Sequence, residues 1–221
     1  DITVDGMAAF GVKVRNRGDG SFFIQAGQRY LPRTYRIEGD ASNASYFFSA
    51  AAVCKGRIEV INLNPASFQG DVRFLDILET MGCRTTRGKD RVEVQGGELH
   101  GIEIDMKEMP DLVPTLAVTA AFARGKTVIK NVGHLRHKES DRIHALAVEF
   151  TKMGLRVDEK RDGLEIEGGK SHGAEIETYD DHRMAMSFAV AGLAVPGIRI
   201  KGERSVDKSF PGFWETLQKL Y

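Results

Sequence analysis

The chain has 221 residues, of which 42% are hydrophobic and 28% charged, as in an ordinary globular protein with a buried core. Its 31 basic and 31 acidic residues leave a formal net charge of zero, which argues against nucleic-acid or acidic-membrane partners, since both attract basic surfaces. No apolar run reaches the roughly 18 residues that a membrane span needs. Cys54 and Cys83 lie in apolar surroundings outside any CxxC motif, so we predict buried thiols in the reducing cytoplasm.

The first predicted elements occupy residues 1–37. The stretch MAAFGVKVRNRGDGSFFIQAG has the order helix end, strand, turn, strand, and the later stretch ILETMGCRTTRGKDRVEVQGG has the same order. Since DITVDGMAAF begins in the middle of this pattern, we expect the chain to be a piece of a longer protein. Residues 1–37 are then the tail of a preceding repeat unit from an N-terminal half, and residues 38–221 form the C-terminal domain.

Three later segments align with one another: EGDASNASYFFSAAAVCKGRIEVINL, MPDLVPTLAVTAAFARGKTVIKNV and YDDHRMAMSFAVAGLAVPGIRIKG. Each has an aspartate, an apolar run at helical spacing, a glycine and an alternating strand. The aspartates Asp40, Asp111 and Asp181 lie about 70 residues apart. The alignment divides the domain into three repeat units, which cover about residues 38–106, 107–176 and 177–221.

A second, amphipathic helix follows in each unit, in FQGDVRFLDILETMG, HKESDRIHALAVEFTKMG and VDKSFPGFWETLQKLY. Two hairpins with tips at RGKDR and EKRDG complete the first two units, and the third stops after its second helix. A full unit therefore has the order βαβαββ. Because the first helix of each unit is apolar almost all round, it is predicted to be buried. We predict an α/β (α+β) domain of pseudo-threefold symmetry, with helices inside and short sheets outside.

Aspartates stand where the helices are predicted to begin. An aspartate at that position accepts hydrogen bonds from free N–H groups and suits the positive end of the helix dipole. We therefore predict a capping role for all five members of this set, which are Asp40, Asp71, Asp141, Asp181 and Asp207. Asp111 follows Pro110 and also fits a cap.

Cationic residues near the same helix starts are less expected, because the dipole disfavours them by about 0.3–1 kcal/mol. Arg142 and Lys208 follow the shared aspartate of the second helices, where the first unit has Val72. Arg183 occupies the corresponding region of a first helix. One explanation is a shared phosphate or carboxylate, bound by all three cations. The alternative is that each cation forms a weak surface pair with a neighbouring aspartate.

A carboxylate beside these cations extends the hypothesis to catalysis. Glu139 lies between Lys138 and Arg142, and in a site closed to water it could exchange protons with a substrate. Asp111 is its candidate counterpart, which would provide one base and one acid. A histidine beside an aspartate at a helix start, such as His182, is more often structural, and Trp214 fits core packing.

Several of these motifs together resemble a known family. EGDASNASYF, MPDLVPTLAV, RHKESDR, YDDHRMAMSF and DKSFPGFWETL resemble the C-terminal half of 5-enolpyruvylshikimate-3-phosphate (EPSP) synthases, in the family's order and over essentially the whole chain. The resemblance implies a monomeric two-domain enzyme, each domain an inside-out assembly of three repeats. It further implies transfer of the enolpyruvyl group of phosphoenolpyruvate to the 5-hydroxyl of shikimate 3-phosphate, with release of phosphate and no cofactor. This reaction belongs to aromatic amino-acid biosynthesis by the shikimate pathway.

The resemblance also implies roles for individual residues. Asp111 would take the proton from the 5-hydroxyl, and Glu139 would deliver a proton to the methylene carbon. Lys138 would hold shikimate 3-phosphate. The residues implied to bind phosphoenolpyruvate, and the herbicide glyphosate in its place, are Arg142, Arg183 and Lys208.

Two departures limit the resemblance. His134 stands where some members have an asparagine that contacts the shikimate ring, so that contact is not transferred. Nothing in the chain matches the Lys-Ser and Gly-rich motifs of the family's other half, so we expect weak phosphoenolpyruvate binding and no turnover by this chain alone. Two alternatives remain: a UDP-N-acetylglucosamine enolpyruvyl transferase and a non-catalytic anion-binding domain.

Overall fold

The computed structural model describes residues 1–220. These residues form seven α-helices, namely α1 (Ile2–Ala9), α2 (Ala41–Val53), α3 (Phe74–Met81), α4 (Val113–Ala121), α5 (Arg142–Lys152), α6 (His182–Ala194) and α7 (Phe213–Gln218). The same residues form eleven strands, namely β1 (Val14–Asn16), β2 (Phe22–Ile24), β3 (Arg57–Ile61), β4 (Arg84–Arg87), β5 (Arg91–Gln95), β6 (Glu103–Asp105), β7 (Lys126–Lys130), β8 (Arg156–Lys160), β9 (Gly163–Glu167), β10 (Glu175–Glu177) and β11 (Arg199–Lys201).

The helices α2, α4 and α6 form the centre of the domain, and each packs against the other two. They are buried along most of their length, as their apolar sequences predict. Their few polar side chains face one another: the hydroxyl of Thr115 lies 3.4 Å from those of Ser45 and Ser187. Such hydroxyls are tolerated in a core because they satisfy one another. The predicted inside-out arrangement of helices is confirmed.

Short sheets lie outside these helices. One sheet has the strand order β3-β5-β4 and another the order β6-β7-β9-β8, with the predicted hairpins β4–β5 and β8–β9 antiparallel. The strand before α4 pairs in parallel with the strand after it, as β6 with β7, and the strand before α6 does the same, as β10 with β11. In sequence β6 and β10 lie at the two predicted boundaries between units. In the leading segment β1 pairs antiparallel with β2.

The first unit lacks the leading strand that the βαβαββ pattern predicts. The segment before α2 contacts the end of β3 through Asn62: the amide of Gly39 donates to the Asn62 carbonyl at 2.6 Å, and Asn62 Nδ2 donates to the Ile37 carbonyl at 3.0 Å. A strand requires a ladder of successive backbone bonds, and these two bonds lie only at one end of β3. Ile37 remains exposed, consistent with a segment that does not join the sheet.

The prediction that both cysteines are buried is wrong for Cys54. Cys54 is the C-cap of α2, at the end of the buried helix, and is exposed. Cys83 is buried, and burial raises the pKa of its thiol above the ordinary value. No helix within residues 1–220 is long and apolar enough to cross a bilayer.

Candidate functional site

Three of the predicted aspartate caps are confirmed. A carboxylate oxygen of Asp40 accepts the amide of Asn43 at the start of α2, and Asp141 accepts the amide of His144 at the start of α5. Asp181 accepts the Arg183 amide at 2.9 Å at the start of α6. Each bond satisfies one of the free N–H groups of a first helical turn.

The capping prediction is wrong for Asp71 and Asp207. Both lie within 3-10 turns that precede the second helix of their unit, so neither stands at the point where the α-helix begins. Asp71 instead accepts the hydroxyl of Ser42, and burial raises the pKa of Asp71 above its ordinary value. The Ser42 contact joins the starts of two helices within the first unit.

The three aspartates that the repeat makes equivalent serve different purposes. Asp40 caps a helix, whereas Asp111 lies in a 3-10 turn before α4 and makes no cap bond. Asp181 caps α6 and also binds Arg142. Equivalent positions in the repeat therefore do not have equivalent roles. The alignment of the repeats did not predict that Asp181 binds Arg142.

Arg142 is the most deeply buried cation near these helix starts, with 1% of its side chain exposed. Its guanidinium donates from Nε to Asp181 Oδ2 at 2.7 Å, from Nη1 to Asp111 Oδ1 at 3.0 Å and from Nη2 to Glu139 Oε2 at 2.7 Å. Ser140 also donates to Asp181, at 3.1 Å. Because Arg142 begins α5 and Asp181 begins the helix of the next unit, the pair fixes one helix start against another.

Arg183 reaches one of these carboxylates, Asp111, from α6. Its Nη2 donates to Asp111 Oδ2 at 3.0 Å, so Asp111 lies between two guanidinium groups. Nη1 lies 3.5 Å from the hydroxyl of Tyr46 on α2, at the limit of a hydrogen bond. Burial raises the pKa of Tyr46 to about 12, so the phenol is neutral at physiological pH.

Two lysines complete the arrangement from less buried positions. Lys208 Nζ donates to Glu139 Oε1 at 2.7 Å, and Lys138 Nζ lies 3.8 Å from Asp111 Oδ1. Lys208 does not stand at a helix start, as the repeat alignment predicted, but in the 3-10 turn Glu203–Lys208 before α7. The long lysine side chain reaches Glu139 from there.

The structure thus brings together all six residues singled out from the sequence, together with Asp181. We call this set the cross-unit cluster; its members are Asp111, Lys138, Glu139, Arg142, Asp181, Arg183 and Lys208. With its four cations and three carboxylates ionised, the cluster has a formal charge of plus one. Each cation of the cluster contacts a carboxylate of the protein. An anionic ligand would therefore have to replace these carboxylate oxygens with its own oxygens.

The two candidate catalytic carboxylates are both held in the ionised form. Burial acts to raise the pKa of Asp111, but Arg183, Arg142 and Lys138 outweigh it, and that pKa lies below its ordinary value. The hydrogen bond from Lys208 is the main cause that lowers the pKa of Glu139, to about 2. In this arrangement both groups are proton acceptors, and Glu139 can act as an acid only after its surroundings change.

Among the histidines, His182 lies nearest to the cross-unit cluster, with Nδ1 3.8 Å from Asp181 Oδ1. His182 is buried, and desolvation lowers its pKa below the ordinary value, which favours the neutral ring. Its Nδ1 has no hydrogen-bond partner within residues 1–220, although a structural hydrogen bond was expected. His134 lies in an exposed turn. Across residues 1–220, no group of three or more His, Cys, Asp or Glu side chains is arranged to hold a metal ion.

A second charged cluster lies on the other side of the α5 start. Arg136 donates to Asp141 at 3.0 Å, to Glu159 at 2.8 Å and to the carbonyls of Lys160 and Arg161. His144 lies 3.0 Å from the second oxygen of Glu159. We call these side chains, Arg136, Asp141, His144 and Glu159, the hairpin clamp, because they attach α5 to the β8–β9 hairpin. From the sequence only the capping role of Asp141 was predicted, since no local pattern specifies contacts between α5 and the β8–β9 hairpin.

The chain is similar to one family of known proteins over nearly its whole length. Residues 1–217 match the family described as EPSP synthase (3-phosphoshikimate 1-carboxyvinyltransferase). A 3-phosphoshikimate 1-carboxyvinyltransferase of Methanoculleus marisnigri is 50% identical over 98% of this chain and 52% of its own length. One of Nostoc punctiforme is 52% identical over 94% of this chain and 49% of its own length.

A solved structure is similar as well. An EPSP synthase from Acinetobacter baumannii superposes with a TM-score of 0.87 at 31% identity, over 96% of this chain and 52% of that one. The chain therefore spans about half the length of the curated relatives that it matches. The same holds for the solved relative, so the similarity covers nearly all of this chain and half of each of these relatives.

Proposed function

The chain belongs to the EPSP synthase family, and we propose that it carries the phosphoenolpyruvate-side half of an active site that makes 5-enolpyruvylshikimate 3-phosphate in the cytoplasm. The observation that carries the proposal is the cross-unit cluster, in which four cations surround two ionised carboxylates at the starts of helices from two units. Phosphoenolpyruvate and shikimate 3-phosphate are both anionic and would need such cations. The rest of the site would come from the N-terminal half of the same enzyme.

Asp111 is suited to begin the reaction as a base. The cations lower its pKa, so Asp111 is ionised at neutral pH but only weakly basic. When the substrates take up these cations, its basicity would rise and it could accept the proton of the 5-hydroxyl. The hydroxyl oxygen then bonds to C2 of phosphoenolpyruvate, and the methylene carbon C3 takes up a proton, which forms a tetrahedral intermediate. Elimination breaks the bond from C2 to the phosphate oxygen and returns a proton from the methyl group to a base.

Glu139 is the proposed donor of the proton to C3. Because its pKa is low, it can donate a proton only after its cationic partners have been taken up by the substrate. The carboxyl is ionised while Lys208 and Arg142 bind it. When the phosphate and carboxylate of phosphoenolpyruvate take up these cations, Glu139 loses its stabilising partners, and exclusion of water raises its pKa further. Substrate binding would thereby convert a structural carboxylate into an acid.

The remaining residues would bind the substrates and neutralise their negative charge. Arg142 and Arg183 offer planar guanidinium groups that match a carboxylate or phosphate in a bidentate manner, and Lys208 adds a compact charge. Lys138, whose Nζ lies 3.8 Å from Asp111 Oδ1, would bind shikimate 3-phosphate. Preorganised cations of this kind stabilise the charge that moves onto the departing phosphate.

The test is release of phosphate from phosphoenolpyruvate plus shikimate 3-phosphate. The chain is assayed alone and after mixing with a separately made N-terminal half of the Methanoculleus marisnigri relative, with assembly checked by size-exclusion chromatography. Activity only in the assembled mixture supports the proposal. Activity of the chain alone contradicts the split site, and an assembled but inactive mixture contradicts the reaction. UDP-N-acetylglucosamine in place of shikimate 3-phosphate then tests the other acceptor.

A further inference from the structure

A buried carboxyl group outside the cross-unit cluster has no counterpart in the first unit. Alignment of the second helices at their ends, Met81–Gly82 and Met153–Gly154, makes Glu149 of α5 equivalent to Ile77 of α3. Both side chains are buried, Ile77 as part of the core and Glu149 with none of its surface exposed. A carboxyl group at a core position costs free energy unless it is hydrogen-bonded, so Glu149 calls for a structural explanation.

The partners of Glu149 connect the second unit to the third. Tyr179 donates its hydroxyl to Glu149 Oε1 at 2.7 Å, and the amide of Glu177 lies 3.3 Å from Oε2. Lys152 from the same helix donates to both oxygens, at 2.8 and 2.9 Å. Burial, together with Glu149, raises the pKa of Tyr179 well above its ordinary value, so the hydroxyl keeps its proton and donates.

Tyr179 lies in a turn with an unusual backbone. Tyr179 and Asp180 both have φ of 55°, and the amide of Asp181 donates to the carbonyl of Thr178 at 2.9 Å. Two central residues with positive φ are the pattern of a type I′ turn, which favours Asn-Gly and disfavours a bulky residue such as tyrosine. Such a conformation persists only where the surroundings hold it.

The other two units do not repeat this backbone. Among the described residues, those directly before Asp40 and Asp111 have no positive φ. The left-handed pair therefore belongs to the third unit alone, directly before the aspartate that binds Arg142. A strained turn found in one repeat and absent from the equivalent positions of the others points to a role specific to that unit.

We propose that Glu149 and Tyr179 are positioning residues, whose hydrogen bond holds the Thr178–Asp181 turn so that Asp181 and Arg183 face the phosphoenolpyruvate side of the site. This inference rests on the proposed function and extends it by two residues that touch no substrate. Asp181 transmits the effect, since it binds Arg142 through Nε at 2.7 Å and Nη2 at 3.3 Å and accepts the Arg183 amide.

The first experiment removes the hydroxyl group of Tyr179. In the complex of this chain with the N-terminal half, Tyr179→Phe is expected to raise KM for phosphoenolpyruvate about tenfold, because the turn would no longer hold Asp181 and Arg183 in place. KM for shikimate 3-phosphate and kcat should each change less than about threefold. Tyr179 forms no hydrogen bond to the residues that are proposed to bind shikimate 3-phosphate or to transfer protons. A purely structural defect would lower kcat through loss of folded enzyme and leave both KM values unchanged.

Two further variants sharpen the result. Tyr35→Phe, which removes a hydroxyl at an exposed position of the leading segment, is the matched control and should leave both KM values unchanged. The double change Tyr179→Asn with Asp180→Gly supplies the residues that a type I′ turn prefers. It should therefore return KM for phosphoenolpyruvate toward the parent value although the hydrogen bond to Glu149 is missing. A wild-type KM in Tyr179→Phe, or no recovery in the double variant, contradicts the inference.

A readout without catalysis separates this inference from the proposed function. Amide hydrogen exchange at Asp181 and Arg183 should be faster in Tyr179→Phe than in the parent, because both amides depend on the turn. If the parent complex releases no phosphate, the proposed reaction is wrong. Amide hydrogen exchange still decides whether the hydrogen bond between Glu149 and Tyr179 holds the turn. Unchanged exchange at both amides overturns the inference whatever the activity.

Discussion

The two charged clusters on either side of the α5 start differ in what their arginines connect. Arg136 of the hairpin clamp binds carboxylates and backbone carbonyls that all belong to the second unit. Arg142 binds Asp111 and Glu139 of the second unit and Asp181 of the third, and Lys208 of the third unit reaches Glu139. An ion pair within one unit attaches neighbouring elements, whereas contacts between units assemble charges that no single unit possesses.

Burial separates the two clusters further. The Arg136 side chain is 23% exposed, whereas Arg142 is 1% and Asp181 is 0% exposed. The partners of Arg136 include carbonyls that cannot move away, whereas Asp111 and Glu139 are carboxylates on partly exposed side chains that a ligand can displace. The comparison therefore predicts large effects where a buried charge loses its partner and small effects in the hairpin clamp.

The largest effect on stability is expected from Arg142→Ala. It leaves Asp181 buried without its guanidinium partner, which lowers the free energy of unfolding by about 3–5 kcal/mol. The matched control Arg136→Ala removes a partly exposed arginine and should cost about 1 kcal/mol. Urea unfolding of the chain provides both values. Equal losses for the two variants would contradict the distinction between the clusters.

Glu139→Gln is expected to reduce turnover most among changes that leave the fold intact. Removal of a proton donor lowers kcat by about 10²–10⁴-fold, whereas the glutamine keeps the shape of the side chain and changes KM little. Steady-state phosphate release by the complex with the N-terminal half measures both constants. Normal turnover in this variant would exclude Glu139 as the acid.

Arg183→Ala should weaken binding of phosphoenolpyruvate. A hydrogen bond to a charged group contributes about 1.5–3 kcal/mol, which corresponds to roughly tenfold to hundredfold in affinity. Arg136→Ala again serves as the control, since the hairpin clamp lies outside the proposed site. Equilibrium titration of the assembled complex with phosphoenolpyruvate gives the two affinities, and unchanged affinity in Arg183→Ala would show that the cations do not converge on this ligand.

The smallest expected effect is the dependence of stability on acid pH. The folded pKa of Glu139 is about 2 against an ordinary 4.5, so its ionised form contributes stability that is fully present above about pH 4.5. That contribution is lost as the pH falls through about 2. Urea unfolding of the chain between pH 6 and 2 should therefore show a shallower loss of stability in Glu139→Gln than in the parent. Parallel curves would mean that Lys208 and Glu139 are not paired in solution.

Much of the fold could be predicted because hydrophobic pattern and repetition are local properties of the sequence. Three apolar runs indicated three buried helices, and alternation between turn signals indicated the two hairpins. The leading strand of the first unit was the exception, since pairing at the edge of β3 depends on where the preceding segment runs.

The candidate site could be predicted in its members and less well in its contacts. Arg142, Arg183 and Lys208 were identified as cations near predicted helix starts, where the dipole disfavours them. Asp111 and Glu139 were identified as a candidate base and acid, and the resemblance added the binding role of Lys138. Asp181 was assigned to capping alone because capping and binding of a guanidinium use the same side chain, and no local pattern distinguishes them.

The sequence by itself determined the repeat, the periodicity of the helices and the residue types available for catalysis, since each is encoded within a few tens of neighbouring residues. Only the tertiary structure decided that Asp181 meets Arg142 across units, that Lys208 reaches Glu139 from a 3-10 turn, and that Glu149 holds Tyr179. These contacts join residues 30 to 69 positions apart. Their geometry, burial and pKa values arise from packing between units, which local sequence pattern does not specify.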